Sequence, residues 1–399
     1  MAEPVTITVR AGHPDFLDLP WERSITKWEG ERMVDLPRGI SRHEIRFVCY
    51  PEGTYAIKEL PLEPARRDYT ILRALEEAGG PAVVPVGLVE RLDADPQAEV
   101  GAALITRYLD YSFSYRELIS GGGFGPRRTH MLDAFANLLV ELHLLGCFWG
   151  DCSLSNVLYR YDAETIRAVM VDAETASVYP TLSEGQRLRD LELMEENVAG
   201  EMMDIAAETG LDLDEADVGL GGDIEGRYRG LWEELTSIET IALTERFRIT
   251  ERVERLNDLG FEVEEINLLP TEDGHRLQFK TRVGGRRFHA SRLKELTGID
   301  ATERQARQIL SDLHYYQMRH GADGSSAKEV LAVQWRVGVF EPFLRRITAL
   351  EGILDPVQGY CDFLHHRYML SAREQRDVGN QVAFQDWAAS GRPGYPVQS

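Results

Sequence analysis

Gly146-Cys147-Phe148-Trp149-Gly150-Asp151-Cys152-Ser153-Leu154-Ser155-Asn156, answered downstream by Val171-Asp172-Ala173-Glu174, is the stretch on which the reading of this chain turns. Asp151 and Asn156 stand five positions apart, and Asp172 closes an apolar run that follows them. Oxygen donors in that order can surround a metal ion that carries a nucleotide. Phosphoryl transfer also needs a carboxylate beside the acceptor hydroxyl and a cation on the phosphates. Asp151 suits the first task, Asn156 and Asp172 the metal, and Lys58, in the apolar run Thr54-Tyr55-Ala56-Ile57-Lys58-Glu59-Leu60, the phosphates.

The surrounding chain predicts how these residues are carried. From Thr129 to Leu145 apolar residues recur at helical spacing up to Gly146, which stands where a C-terminal cap is expected. Short strands over 157–159 and 168–171 then flank a polar turn at Asp162-Ala163-Glu164. Ser183 with Gln186 has the form of a capping box and starts a helix running to about Glu208. Upstream, 31–36, 43–50 and 54–60 read as strands, and Pro64 stands where a helix would begin, with Gly79-Gly80-Pro81 ending it. Strands over 83–90 and 102–108 follow. The opening segment, with His13 to Trp21, is read as extended chain laid across the outside of this part.

With 399 residues, 43% apolar and 28% charged, the chain is long enough for two or three domains at about 150 residues each. No apolar run reaches the roughly 18 residues of a membrane span, and MAEPVTITVR has no signal-peptide pattern, so a cytoplasmic location is expected. Cys49, Cys147, Cys152 and Cys361 form no CxxC pair and no zinc spacing; Cys147 and Cys152 are read as packing residues. A net charge of −22 disfavours indiscriminate nucleic-acid binding and requires a local positive site for any anionic ligand.

The acidic, glycine-containing stretch 211–226 marks a domain boundary. Beyond it, helices are expected over 232–243 and 246–260, then a β-hairpin over 261–291 turning at Glu272-Asp273-Gly274. Further helices are expected over 301–320, 327–350 and 356–370, with 390–399 as a flexible tail. In the 275–294 segment Arg276, Lys280, Arg282, Arg286, Arg287, Arg292 and Lys294 occur with no acid. Strand alternation would set several of them on one face, either solvated and paired with the chain's excess carboxylates or available to RNA or protein.

Ala56-Ile57-Lys58, Gly150-Asp151 with Asn156, and Asp172 resemble the protein-kinase-like superfamily, in the branch of lipopolysaccharide-core (Kdo) kinases, aminoglycoside phosphotransferases and RIO kinases. More closely, Trp149 to Asn156 with Val171 to Thr175 is similar to an actinobacterial lipopolysaccharide kinase-like family with a C-terminal domain of unknown function, which Arg255 to Phe261 and His366-Arg367-Tyr368 also resemble. The resemblance implies an α+β, bilobal protein-kinase-like fold over 1–210 (small antiparallel lobe 1–108, helical lobe 109–210), then a mostly helical domain over 227–389. It implies ATP and Mg2+, with Lys58 on the phosphates and Asp68 as the carboxylate that fixes Lys58, Glu63 and Glu76 being rivals. Gly39 and Ser41 are what remains of the glycine-rich phosphate cover, and Tyr108 and Leu109 lie where the hinge meets the nucleotide.

The chain departs from the regulated protein kinases in four places. Trp149 replaces a histidine, Gly150 replaces the arginine that reads a phosphorylated loop, Ala173-Glu174 replaces Phe-Gly, and the glycine-rich loop is reduced. The expectation is an ATP- and Mg-dependent phosphotransferase acting on a hydroxyl acceptor. The alternatives are a non-catalytic nucleotide-sensing or scaffold protein and a RIO-like RNA-associated ATPase or kinase.

Overall fold

The computed structural model of the chain describes residues 5–36, 42–91, 100–116, 128–210, 219–271, 276–321 and 325–394. Gly39, Ser41, the stretch 211–218, the turn 272–274 and the end of the tail, 395–399, lie outside the described residues. Contacts divide the chain into one unit of Met1–Arg160 with Ala168–Trp232 and another of Tyr161–Arg167 with Glu233–Ser399. The first unit therefore runs on past the expected boundary and takes in most of a helix beyond it.

In the first unit Val5, Ile7 and Val9 alternate along β1 (Val5–Val9) and pack against the core. This alternation makes the opening segment an antiparallel partner of β5 (Pro85–Arg91), with Ile7 opposite Val89, where an outer wrapping was expected. Phe16, Leu19, Trp21, Ile25 and Trp28 are buried in the same cluster, and Trp21 Nε1 donates to the Phe16 carbonyl at 2.7 Å. The sheet is completed by β2 (Met33–Val34), β3 (Ile45–Tyr50), β4 (Gly53–Leu60) and β6 (Ala102–Arg107), in the order β1-β5-β6-β4-β3-β2. Helix α1 (Leu62–Glu77) is inserted after β4, as expected, although Pro64 is its third residue. That position is tolerated because first-turn amides have no intrahelical acceptor. Ala65, Asp68, Leu72 and Leu75 form the buried stripe of α1, so a carboxylate lies on the core face.

The chain continues with β7 (Ser112–Phe113), α2 (Arg128–Leu144), β8 (Cys147–Phe148), β9 (Val157–Asp162), β10 (Thr165–Met170), β11 (Ser177–Val178), α3 (Glu184–Thr209) and α4 (Leu220–Thr236), of which the turn between β9 and β10 with the adjoining strand ends, Tyr161–Arg167, and the end of α4 from Glu233 fall in the second unit. Helix α2 is buried on nearly every side, as a helix at the centre of a lobe must be. Its His143 is completely enclosed: Nδ1 bonds Tyr228 Oη of α4 at 2.8 Å and Nε2 bonds Asp190 of α3 at 3.1 Å. Trp232 stacks on Tyr228, with Arg187 over its ring at 4.1 Å. These contacts bind α4 to the first unit. The capping box of Ser183 and Gln186 starts α3. Ala82 and Met170 form a bridge, with Val83 N donating to the Met170 carbonyl and Met170 N to that of Pro81, both at 2.9 Å. This ties the loop after α1 to the end of β10.

In the second unit the expected helix over 232–243 gives way at Thr236 to β12 (Glu239–Ala242), because Thr240 and Ile241 pair with β14 (Arg276–Arg286) opposite Gln278 and Leu277. The sheet order is β12-β14-β13, with β13 spanning Phe261–Pro270. Arg276, Gln278, Lys280 and Arg282 are exposed while Phe279, Thr281 and Val283 are buried, so the basic residues do share one face. Arg282 is paired there with Glu264 and Glu265. Helices α5 (Phe247–Asp258), α6 (Phe288–Thr297), α7 (Glu303–Arg319), α8 (Ser325–Trp335), α9 (Glu341–Thr348), α10 (Pro356–Glu374) and α11 (Gly379–Ala389) complete the unit. A single helix over 327–350 was expected. A π-helical turn at Arg336–Phe340 and Pro342 at the start of α9 divide it instead. The core gathers Trp335, Phe340, Tyr360, Phe363 and Trp387. No helix among the described residues is long and apolar enough to cross a membrane.

Asp162 caps α7 from outside the helix: its Oδ1 accepts from Thr302 Oγ1 at 2.6 Å and from the amides of Arg304 and Gln305 at 2.9 Å. Replacing a capping carboxylate by alanine costs roughly 1–2 kcal/mol, so Asp162→Ala is expected to lower the urea midpoint of the second unit's transition. Burial holds the His143 imidazole below its ordinary 6.5, against the pull of Asp190. The unfolded chain then binds the extra proton, and stability falls as pH drops below 6.5. Melting temperatures at pH about 7.5 and about 5.5 should differ less in His143→Gln than in the parent.

Candidate active site

Lys58 on β4 projects into a group of carboxylates supplied by separate elements. Its Nζ lies 2.5 Å from Asp172 Oδ2, 3.4 Å from Asp68 Oδ2 on α1 and 3.9 Å from Glu174 Oε2. Glu63 and Glu76 are engaged elsewhere, with Arg66 and Arg10. Asp68 is fully buried, and its Oδ1 accepts from the amide of Ala173 at 3.0 Å, so one side chain of α1 meets both the lysine and the loop after Asp172. Burial alone would draw the Lys58 ammonium down, but Asp172 and Asp68 outweigh it and raise it above its ordinary value. Burial also raises the Asp68 carboxyl, with Lys58 opposing.

Asp151, after β8, has a different environment. Its Oδ1 accepts from Asn197 Nδ2 at 3.0 Å and its Oδ2 from Asn156 Nδ2 at 3.1 Å, with the Arg42 guanidinium 3.6 Å away. Two neutral amides thus fix the carboxylate while 30% of the side chain stays open to solvent. Asn156 also donates to the Asp151 carbonyl at 3.1 Å. Both bonds use the amide nitrogen. Asp172 lies beyond β10, where the Val171 amide bonds the Asn156 carbonyl at 3.0 Å. Asp172 Oδ1 accepts from the Glu174 amide at 3.1 Å.

The loops carrying these groups are tied at several points. Phe148 pairs with Ser177 and Cys147 with Val178. Trp149 Nε1 donates to the Asp172 carbonyl at 3.0 Å, and Thr175 Oγ1 to the Trp149 carbonyl at 2.9 Å. Trp149 therefore joins one loop to the other directly. Asp190 accepts from the amides of Trp149 and Gly150 at 2.7 and 2.8 Å, and Glu201 from those of Leu154 and Ser155 at 2.7 and 2.8 Å. Gly150 adopts φ 80°, and a Cβ there would lie 3.1 Å from the Thr175 carbonyl oxygen, so an arginine has no unstrained place. Cys147 is pushed up to about 12 by burial, and burial also raises Cys152 well above its ordinary value, which keeps both thiols protonated and inert.

Asp190, Asn197 and Glu201 recur at helical spacing on one face of α3, a polar line beside Leu191, Met194, Val198 and Met202. That periodicity was the available signal for them. Arg42 and His43, which reach Glu174 at 3.4 and 3.2 Å, had none, because their contact joins residues 131 and 132 apart. The hydrogen bond with His43 holds Glu174 below the usual carboxylate range, and Lys58 adds to this against the effect of burial. Of the other sequence candidates, Tyr108 and Leu109 follow β6. The Tyr108 amide donates to the Thr54 carbonyl at 3.0 Å, and its ring meets Phe47 edge-on.

Residues 53–211 match the model of the lipopolysaccharide kinase (Kdo/WaaP) family, and residues 230–391 match that of a domain of unknown function, DUF4032. No curated protein gives a significant match. Among solved structures, WaaP in complex with acyl carrier protein aligns at 16% identity and TM-score 0.34, over 57% of this chain and 88% of that one. The Rio2 kinase–ADP/Mg2+–phosphoaspartate complex from Chaetomium thermophilum aligns at 15% identity and TM-score 0.32, over 51% and 71%. The family models carry the likeness: residues 53–211 are similar to the Kdo/WaaP lipopolysaccharide kinases and residues 230–391 to the DUF4032 domain.

Proposed function

We propose that the first unit is an ATP- and Mg2+-dependent phosphotransferase that acts on a hydroxyl group. The observation that carries this reading is the convergence of Lys58, Asp68 and Asp172 from a strand, a helix and a loop on one buried cation, beside an Asp151 that two amides fix and solvent still reaches. Lys58 would bind phosphate oxygens, with Asp68 holding it in place. The pair with Asp172 is then a resting contact, since the same carboxylate suits a metal.

Asp172 and Asn156 offer a carboxylate and an amide oxygen, both hard donors. Among the described residues no group of three or more His, Cys, Asp or Glu is placed to hold an ion alone. A sparse oxygen set fits magnesium, which keeps water and takes phosphate oxygens as its remaining ligands. When bound, the ion would offset charge on the phosphates. Asp151 would accept a hydrogen bond from the acceptor hydroxyl and orient its oxygen for in-line attack. The Asn156 and Asn197 amides restrict the rotation of that carboxylate.

Asp172→Ala is expected to abolish magnesium-dependent ATP binding, read by thermal shift with and without the ion. Unaltered binding would refute the metal assignment. Asp151→Asn should retain nucleotide binding and lose turnover by roughly 10²–10⁴-fold, the usual scale of a positioned base, in a phosphate-release assay. Binding without turnover in the parent protein would favour a nucleotide sensor.

A further inference from the structure

We infer that the chain forms a two-fold dimer in which β13 pairs, antiparallel, with β13 of a second copy, Ile266 of one lying opposite Leu268 of the other. Every residue involved belongs to the second unit, so the inference does not rest on the phosphotransfer reading.

Strand β13 is an edge of the sheet β12-β14-β13, and its two halves differ. The first half carries features that keep an edge strand solitary: Glu262, Glu264 and Glu265 are exposed, and the register with β14 shifts between Phe261 and Glu265. The second half, Ile266-Asn267-Leu268-Leu269, has no charge and keeps a regular register. Ile266 and Leu268 stand opposite the buried Thr281 and Phe279, yet they are 40% and 49% exposed, and Leu269 on the other face is 64% exposed. Among the described residues each row of side chains stops at β13.

The main chain is open on the same side. Thr271 N donates to the Arg276 carbonyl at 3.0 Å, and bonded residues alternate along an antiparallel ladder. Leu269, Asn267 and Glu265 therefore turn their amides and carbonyls toward β14, while Leu268 and Ile266 turn theirs outward. No other strand or loop among the described residues bonds that outward edge.

Charge decides the direction of the copy that covers it. A parallel neighbour would set the three glutamates against their own counterparts, whereas an antiparallel one sets them beside the end where exposed Arg276 stands. The register follows from the outward groups. With the axis at Asn267, Ile266 and Leu268 of the two copies exchange N–H···O bonds in both directions, and their apolar side chains meet on one face. Moving the axis to Leu268 would put Pro270, which has no N–H, opposite Ile266; moving it to Ile266 would put Glu264 opposite Leu268. The chosen pairing joins the two three-stranded sheets into one, as an isologous contact.

The test is sedimentation equilibrium of the full chain across micromolar concentrations, combined with oxidative cross-linking. The parent should dimerise, and Leu268→Lys should raise the dimer dissociation constant at least about tenfold with the melting curve retained. Cross-linking is done in a Cys49→Ser background, because Cys49 is an exposed thiol. Asn267→Cys should form an intersubunit disulfide, since residues facing each other in a non-hydrogen-bonded pair lie about 4.5 Å apart at Cα. Glu262→Cys, roughly 30 Å from its own copy at strand spacing, should not. A parent that stays monomeric overturns the inference. So does a dimer that Leu268→Lys leaves intact, or one in which Asn267→Cys cross-links no better than Glu262→Cys.

Discussion

The buried ammonium of Lys58 is the constraint around which the first unit is arranged. A charge removed from water must be matched, and here matching it draws together Asp68 from α1, Asp172 from the loop after β10 and Glu174 beyond it. Each contact fixes an element. Asp68 sets the rotation of α1 against the sheet, and its second oxygen, bonded to the Ala173 amide, sets the depth of the loop. Removing the cation would leave two carboxylates facing each other in a poorly hydrated space. The mutual attraction of these charges holds the centre together from within the fold.

Asp151 is governed by the opposite logic. Its partners are amides, and the backbone around it is held from α3 by Asp190 and Glu201. Helix α3 acts as a splint along the loop, presenting Asp190, Asn197 and Glu201 in turn. Burial raises Glu201, yet its two amide donors, Leu154 and Ser155, favour the ionised form. The loop therefore keeps its shape through bonds to the main chain, and its accessible carboxylate is spared from structural duty.

Legibility followed the range of the interactions involved. The antiparallel strands, the helix inserted after β4, the capped α3 and the termination of α2 at Gly146 each have a local signature in period or capping residue. Lys58, Asp151, Asn156 and Asp172 were readable through order and spacing, while Asp68 was one of three carboxylates on its helix until the fold placed it against Lys58. The misses depend on distant partners. Thr240 and Ile241 were read as helix because the strand that recruits them comes much later. The π turn after Trp335 was missed, and the helix over 327–350 was read as continuous across it. Arg42 and His43 acquire significance only from Glu174, far along the chain.

Gly150 carries a consequence for how such a centre can change over evolutionary time. In the regulated protein kinases this position holds the arginine that senses a phosphorylated loop. Here the backbone lies in the left-handed region hospitable to glycine, and the Thr175 carbonyl oxygen would lie 3.1 Å from an added Cβ. A single codon change to arginine would distort the loop before it could confer control. At this site the left-handed backbone and the Thr175 carbonyl together favour glycine, so a side chain cannot be added here without strain.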